Sequence, residues 1–189
     1  MCIPALTGLE RDTWRVNPGS YSGYNSSVTD TANPYAKFLG RHDAPGVIAR
    51  SPGRLAELAA KLGPRGLERS LAPGKWRARE ILCHLADCEM VFAFRLRQAL
   101  AEPHHVIQPF DQDQWAKPYA ALDAQAAIEA FSAARRWNLA LIETVSPADF
   151  SKKLSHPERG EMTFQTVVET MGGHDLNHIA QLETIAAQP

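Results

Sequence analysis

Residues 163–185 read TFQTVVETMGGHDLNHIAQLETI. Thr163 is an N-cap residue type, and Phe164, Val167, Val168, Met171, His174, His178, Leu182 and Ile185 then recur at the three- and four-residue spacing of one helix face. Two members of that apolar stripe are histidines standing where leucine is expected. Gly172 and Gly173 interrupt the helix interior just before them, and each costs about 1 kcal/mol relative to Ala. The pair implies either a close backbone approach by a neighbour or a bend at a crowded packing point.

Three more segments share this design. Ser51 and Pro52 open a helix that carries Leu55, Leu58, Ala59 and Leu62 before Gly63-Pro64 stops it, with a start as early as Ala44 within reach. Residues 81–92, ILCHLADCEMVF, lie in a helix from about Trp76 to Ala101 whose stripe is Ile81, His84, Leu85, Cys88, Phe92, Leu96 and Leu100. A third helix, from about Asp123 to Val145, buries Ala127, Ile128, Phe131, Ala134, Leu141 and Ile142 and stops at Ser146-Pro147. Between the second and third lies Pro103–Tyr119, a long irregular connection of the kind that often covers a site. No alternating run is long enough for a strand. Four amphipathic helices bury their stripes most simply against one another, so the expected fold is an all-α four-helix bundle. Residues 1–33, rich in Ser, Thr, Asn, Gly and Tyr, read as an irregular N-terminal tail, and residues 34–189 as the bundle domain.

His174 and His178, four apart, project within about 40° of each other, so both can grip one metal ion. His84, on another apolar stripe, can close a three-histidine face that leaves part of the coordination sphere open. A lone histidine on an apolar face is more often a hydrogen-bonded core residue. Burying three without partners would cost on the order of 1–3 kcal/mol each, a cost that a metal removes. The sequence HDLNH has Asp175 where the zinc-protease HExxH pattern has its glutamate, which argues against protease chemistry. Asp87, Asp175 and Gln181 are candidates for orienting the imidazoles or a ligand, the alternative for each carboxylate being a solvated helix position. Glu80 reads first as a helix-dipole residue and second as a base. Cys88, four after His84, reads as a small core residue, with metal ligation the minor alternative. Trp76, Trp115 and Trp137 read as packing residues, with Trp115 the best pocket wall, and His104, His105 and His156 as exposed loop histidines.

Composition narrows the function classes. Twenty Lys and Arg against 21 Asp and Glu give a net charge of -1, without a basic run to attract nucleic acid or an anionic membrane. No apolar stretch reaches the roughly 20 residues of a membrane span, and the start lacks the pattern of a signal peptide. Three cysteines without a CxxC pair suit a reducing compartment, so the expected location is cytoplasmic.

In order and spacing, Trp76, the HLxDxE set of His84, Leu85, Asp87 and Glu89, and the late set of His174, His178, Gln181 and Leu182 resemble the DinB-like superfamily, particularly its YfiT and bacillithiol-transferase branch. The similarity runs from about Pro34 to Ile185, with Leu182 replacing the usual Ile. It implies an up-down-down-up four-helix bundle holding a divalent metal on three histidines, here His84, His174 and His178. Zinc or nickel is the foremost expectation, with iron and manganese also compatible. It further implies a low-molecular-weight thiol co-substrate, a small-molecule electrophile and a homodimer. The expected activity is therefore metal-dependent S-transfer, with two alternatives: a hydrolase using metal-activated water, or a non-catalytic metal- or ligand-binding protein.

Overall fold

The computed structural model describes residues 32–189, so most of the sequence read as an N-terminal tail lies outside the described residues. Ala32 and Asn33, assigned to that tail, are buried, and the Asn33 side chain accepts the Tyr35 backbone N–H at 3.0 Å. Seven helices follow in chain order: α1 (Ala36–Leu39), α2 (Ala44–Leu67), α3 (Ala78–Ala101), α4 (Gln112–Trp115), α5 (Ala124–Glu143), α6 (Pro147–Phe150) and α7 (Phe164–Ala186).

The four long helices form an up-down-down-up bundle. Helix α2 packs on α7 and α5, and α3 packs on α5 and α7, so α2 and α3 lie across a diagonal despite being consecutive in the chain. Pairings along the helices give the directions. Arg79 reaches the Leu122 carbonyl while Arg97 bonds Asn138, so α3 and α5 run parallel. Ala44 abuts Gly172 while Arg54 pairs with Glu183, so α2 and α7 also run parallel. A parallel neighbour cannot be reached by a short turn. The chain from Glu102 to Asp123 therefore travels back along the bundle, ordered on the way by α4 and a 3-10 turn at Tyr119–Ala121.

Local chemistry sets the helix ends. Asp43 caps α2 by accepting the Gly46 N–H, Asp123 caps α5 through the Ala126 N–H, and Thr163 caps α7 through the Thr166 N–H. Glu80 accepts the Arg77 N–H at 2.7 Å, which makes it a capping residue. Gly63-Pro64 does not stop α2: Gly63, at φ 60°, puts a kink in it and the helix resumes to Leu67.

A two-stranded antiparallel hairpin, which the sequence reading did not anticipate, joins α6 to α7. Strand β1 (Lys153–His156) pairs with β2 (Gly160–Thr163) in the register Leu154 with Met162 and His156 with Gly160. Each strand has only four residues, too few for alternation to stand out, and Gly160 at φ 79° closes the turn. The Ile107 N–H bonds the Ser155 carbonyl, and the Ser155 N–H bonds that of His105, so the long connection covers one hairpin edge.

Gly172 and Gly173 mark a close approach within a continuous helix. A Cβ on Gly173 would sit 2.5 Å from the Tyr35 carbonyl oxygen and 2.8 Å from the Tyr35 Cβ, whereas one on Gly172 would meet Leu39 and Ala44 side chains at 3.1 and 3.3 Å. Gly173→Ala is expected to push α1 away and lower stability by about 1–3 kcal/mol, while Gly172→Ala stays within about 1 kcal/mol of wild type. Thermal denaturation of the two variants checks this. Equal effects would refute the close-approach explanation.

Candidate metal centre

Helices α3 and α7 run antiparallel and place His84 opposite His174 and His178. The three are 2%, 3% and 5% exposed, burial that a solvated role for any of them excludes. Their ring centroids lie 5.2 Å (His84 to His174), 4.9 Å (His84 to His178) and 4.5 Å (His174 to His178) apart. The Nε2 atoms of His84 and His174 are 3.1 Å apart. Two nitrogens each bonded to one tetrahedral zinc at about 2.0–2.1 Å stand about 3.3 Å from each other, so this pair fits a shared ion. Cys88 Sγ is 3.4 Å from His84 Nε2, and one ligand atom from each of His84, Cys88 and His174 falls within 4.8 Å of the others. Ligand atoms of His84, Cys88 and His174 thus converge, and the His178 ring lies beside them.

Neighbouring side chains fix the rings. His178 Nδ1 lies 3.0 Å from Gln181 Oε1; an amide oxygen only accepts, so Nδ1 carries the hydrogen and the Nε2 lone pair is free for a ligand. The Trp76 indole lies against His84 at 4.7 Å, and the Tyr35 and Phe92 rings meet His174 edge-on at 5.0 and 5.9 Å. These aromatic walls desolvate the imidazoles. Burial pulls His84 down to about 3, with repulsion from His178 adding to it; burial likewise pulls His174 far below the ordinary histidine value and lowers His178. All three are neutral near pH 7, the form that binds metals. Burial pushes the Cys88 thiol well above its usual range, so without a cation beside it the sulfur keeps its proton.

The depressed histidines predict the pH response of the metal-free protein. Below about pH 6.5 the unfolded chain takes up protons that the folded chain refuses, so stability present above that pH is lost as pH falls toward 3. His84 alone contributes a slope of about 1.4 kcal/mol per pH unit in that window. Urea denaturation at pH 7, 6 and 5 measures it, and a flat profile would contradict the neutral buried cluster.

The two carboxylates proposed to orient imidazoles bond elsewhere. Asp87 accepts the Tyr119 hydroxyl at 2.7 Å, and the Tyr119 ring packs 6.1 Å from Trp76, so Asp87 steadies the wall behind His84. Asp175 is 1% exposed, not solvated, and takes two bonds from the Arg135 guanidinium, at 2.6 and 3.2 Å. Arg135 also reaches Glu89 at 2.6 Å and the Ile48 carbonyl at 2.9 Å, and Asn138 donates to Glu89 at 2.7 Å. One side chain therefore ties α2, α3, α5 and α7 together beside His174. Burial dominates both neighbouring rings, with Arg135 adding to the depression of His174 and Asp175 opposing that of His178.

Sequence reasoning missed Arg135 and Asn138, although both lie on the α5 stripe of Phe131 and Ile142, where a polar residue signals a buried network. It also missed Tyr35, which carries no periodic signal. His156 is buried at 4% exposure because it lies on the inner face of β1, and His105 is largely covered and pairs with Glu102; His104 is exposed. Trp137 is 69% exposed under Arg97 rather than packed in the bundle, and Trp115, 42% exposed, stacks on Phe110. A separate cavity of about 340 Å³, lined by Asp43, Gln165 and Glu169 among others, opens between α1, the start of α2 and α7.

Fold and site together define a class: a four-helix bundle with a buried histidine cluster suited to a divalent metal. Residues 48–182 match the family model of the DinB superfamily, and the chain belongs to that superfamily. A relative in Bacillus licheniformis is 31% identical over 142 residues, covering 73% of this chain and 80% of its own. One in Oceanobacillus iheyensis is 27% identical over 135 residues, covering 71% and 78%. Both carry the name "putative metal-dependent hydrolase". The solved structure of YfiT from Bacillus subtilis, described as a "probable metal-dependent hydrolase with an unusual four-helix bundle topology", superposes with a TM-score of 0.73 at 20% identity. It covers 83% of this chain and 96% of its own, and shows the same fold. No helix among the described residues is long and apolar enough to cross a membrane.

Proposed function

We propose that this chain is a divalent-metal-dependent S-transferase that joins a low-molecular-weight thiol to a small electrophile, with His84, His174 and His178 as the metal ligands and zinc or nickel as the ion. The observation that carries the metal is the meeting of three neutral, buried imidazoles with the 3.1 Å contact between His84 and His174. A bound divalent ion would supply a Lewis acid that favours the thiolate of an incoming thiol.

The preference for a thiol over water rests on the carboxylates. Asp175 and Glu89 are committed to Arg135, Asp87 to Tyr119, and Glu80 to the start of α3. Water activation calls for a general base near the nucleophile, and each of these groups is already engaged. A thiol, with an unperturbed pKa near 8.5, sheds its proton without one. Gln181 holds the His178 tautomer, and Trp76, Tyr35 and Phe92 exclude water from the reacting end.

Hydrolysis is the second reading, supported by the names of the relatives. An assay of zinc- or nickel-loaded protein on one electrophile and one ester, each with and without a small thiol, separates the two. The expected result is electrophile consumption that requires the thiol and falls at least 100-fold in His178→Ala. Ester turnover without thiol would move the assignment to hydrolase.

A further inference from the structure

Past the imidazole cluster, α3 and α7 continue as the walls of a small cleft, of about 10 Å³, beneath the β-hairpin. Phe92 and Arg95 line it from α3, Thr170 from α7, and His156 and Arg159 from the hairpin. The cleft adjoins the candidate metal centre: its wall Phe92 meets the His174 ring edge-on at 5.9 Å, and Thr170 lies one turn before His174. Against the roughly 300–1,000 Å³ of a pocket for a whole ligand, this is room for one water-sized group, so the cleft suits a single oxygen of an anion seated at its mouth.

Its charge is one-sided. Arg95 is half-buried, and its guanidinium meets only the Gln108 carbonyl at 3.4 Å and the Phe110 ring at 5.9 Å. Arg159 is also half-buried, and its side chain makes no hydrogen bond or ion pair among the described residues. Burial and mutual repulsion with Arg159 lower Arg95 from the ordinary arginine value. His156 Nδ1 accepts the Glu158 backbone N–H, which leaves Nε2–H as the ring's donor. Two partly desolvated guanidiniums facing each other without a carboxylate are unfavourable alone and complementary to an anion, whose oxygens the guanidinium fork bonds in pairs.

We propose that Arg95 and Arg159, with His156, form an oxyanion subsite that holds a carboxylate or phosphate group of the substrate while its reacting end lies at the histidine cluster. Seven residues of helix separate Arg95 from Cys88, a rise of about 10 Å, so the substrate carries its negative group about 10 Å from the reacting atom. The identity of the reacting end rests on the metal-centre reading; the anion site does not.

Isothermal titration with succinate and, separately, inorganic phosphate tests the subsite on zinc-loaded and chelator-treated protein. Wild type, Arg95→Met and Arg159→Met are compared, with Arg136→Met as a control for an exposed charge on α5. The expected result is that at least one anion binds wild type with or without zinc, that each of the first two variants weakens it at least tenfold, and that Arg136→Met leaves it unchanged. Succinate alone would identify a carboxylate, and phosphate alone a phosphate group. Melting temperatures of Arg95→Met and Arg159→Met should equal or exceed wild type, because a like-charge pair has been relieved. No binding of either anion, or equal weakening in Arg136→Met, would overturn the subsite even if zinc is taken up. Anion binding in a protein that takes up no zinc would sustain the subsite while removing the metal reading.

Discussion

Arg135→Ala is expected to destabilise the protein by about 3–5 kcal/mol, because it strands two buried carboxylates rather than trimming a surface charge. Arg135 is fully buried and is the common partner of Asp175, Glu89 and the Ile48 carbonyl, with its guanidinium 4.5 Å from the centre of the Phe131 ring. Against the desolvation that lowers it, Asp175 and Glu89 hold the guanidinium above its ordinary value, so it remains charged. Burial pushes Glu89 up, and the Arg135 contact opposes that rise. Without the guanidinium that opposition is gone, and the buried carboxylates of Glu89 and Asp175 are left without their common partner. Urea denaturation of wild type and variant near pH 7 measures the loss. A change below about 1 kcal/mol would mean that the four helices hold together without this tie, and that the 2.6 Å contacts contribute little.

The second large effect concerns the metal. Purified protein is expected to contain about one divalent ion per chain, and His84→Ala, His174→Ala and His178→Ala to lose it. With free ion about 1,000-fold above Kd, binding to the folded state alone adds about 4 kcal/mol, so a chelator should lower the melting temperature by several degrees. Cys88→Ser resolves the ligand set. Three imidazoles predict that Cys88→Ser keeps the ion and His178→Ala loses it, whereas a His84, Cys88 and His174 set, whose ligand atoms also converge, predicts the reverse. Elemental analysis of the two variants decides. An absence of metal in wild type after reloading, with equal stability before and after chelation, would leave the histidines as core residues.

Much of this was legible in the residue order, for a definite reason. Helical period, Thr163 and Asp123 as caps, and histidines within apolar stripes are local properties, and local properties place side chains on a helix face without reference to the rest of the chain. The hairpin at 153–163 was not legible because four-residue strands give too short an alternation, and because its edge is completed by residues 105–107, some fifty positions earlier. His156 read as a loop residue for the same reason: its burial comes from which side of β1 faces the bundle.

The sequence by itself determined that four amphipathic helices would form and that His84, His174 and His178 would point into the interior, since a period of 3.6 residues fixes a side chain's face. Only the tertiary structure decided which faces meet. Setting α2 diagonal to α3 and α5 parallel to α3 brings Arg135 between Glu89 and Asp175, Tyr35 against His174, and Arg159 toward Arg95. Those meetings depend on how elements distant in sequence pack together, and helical period is silent about a helix's neighbours.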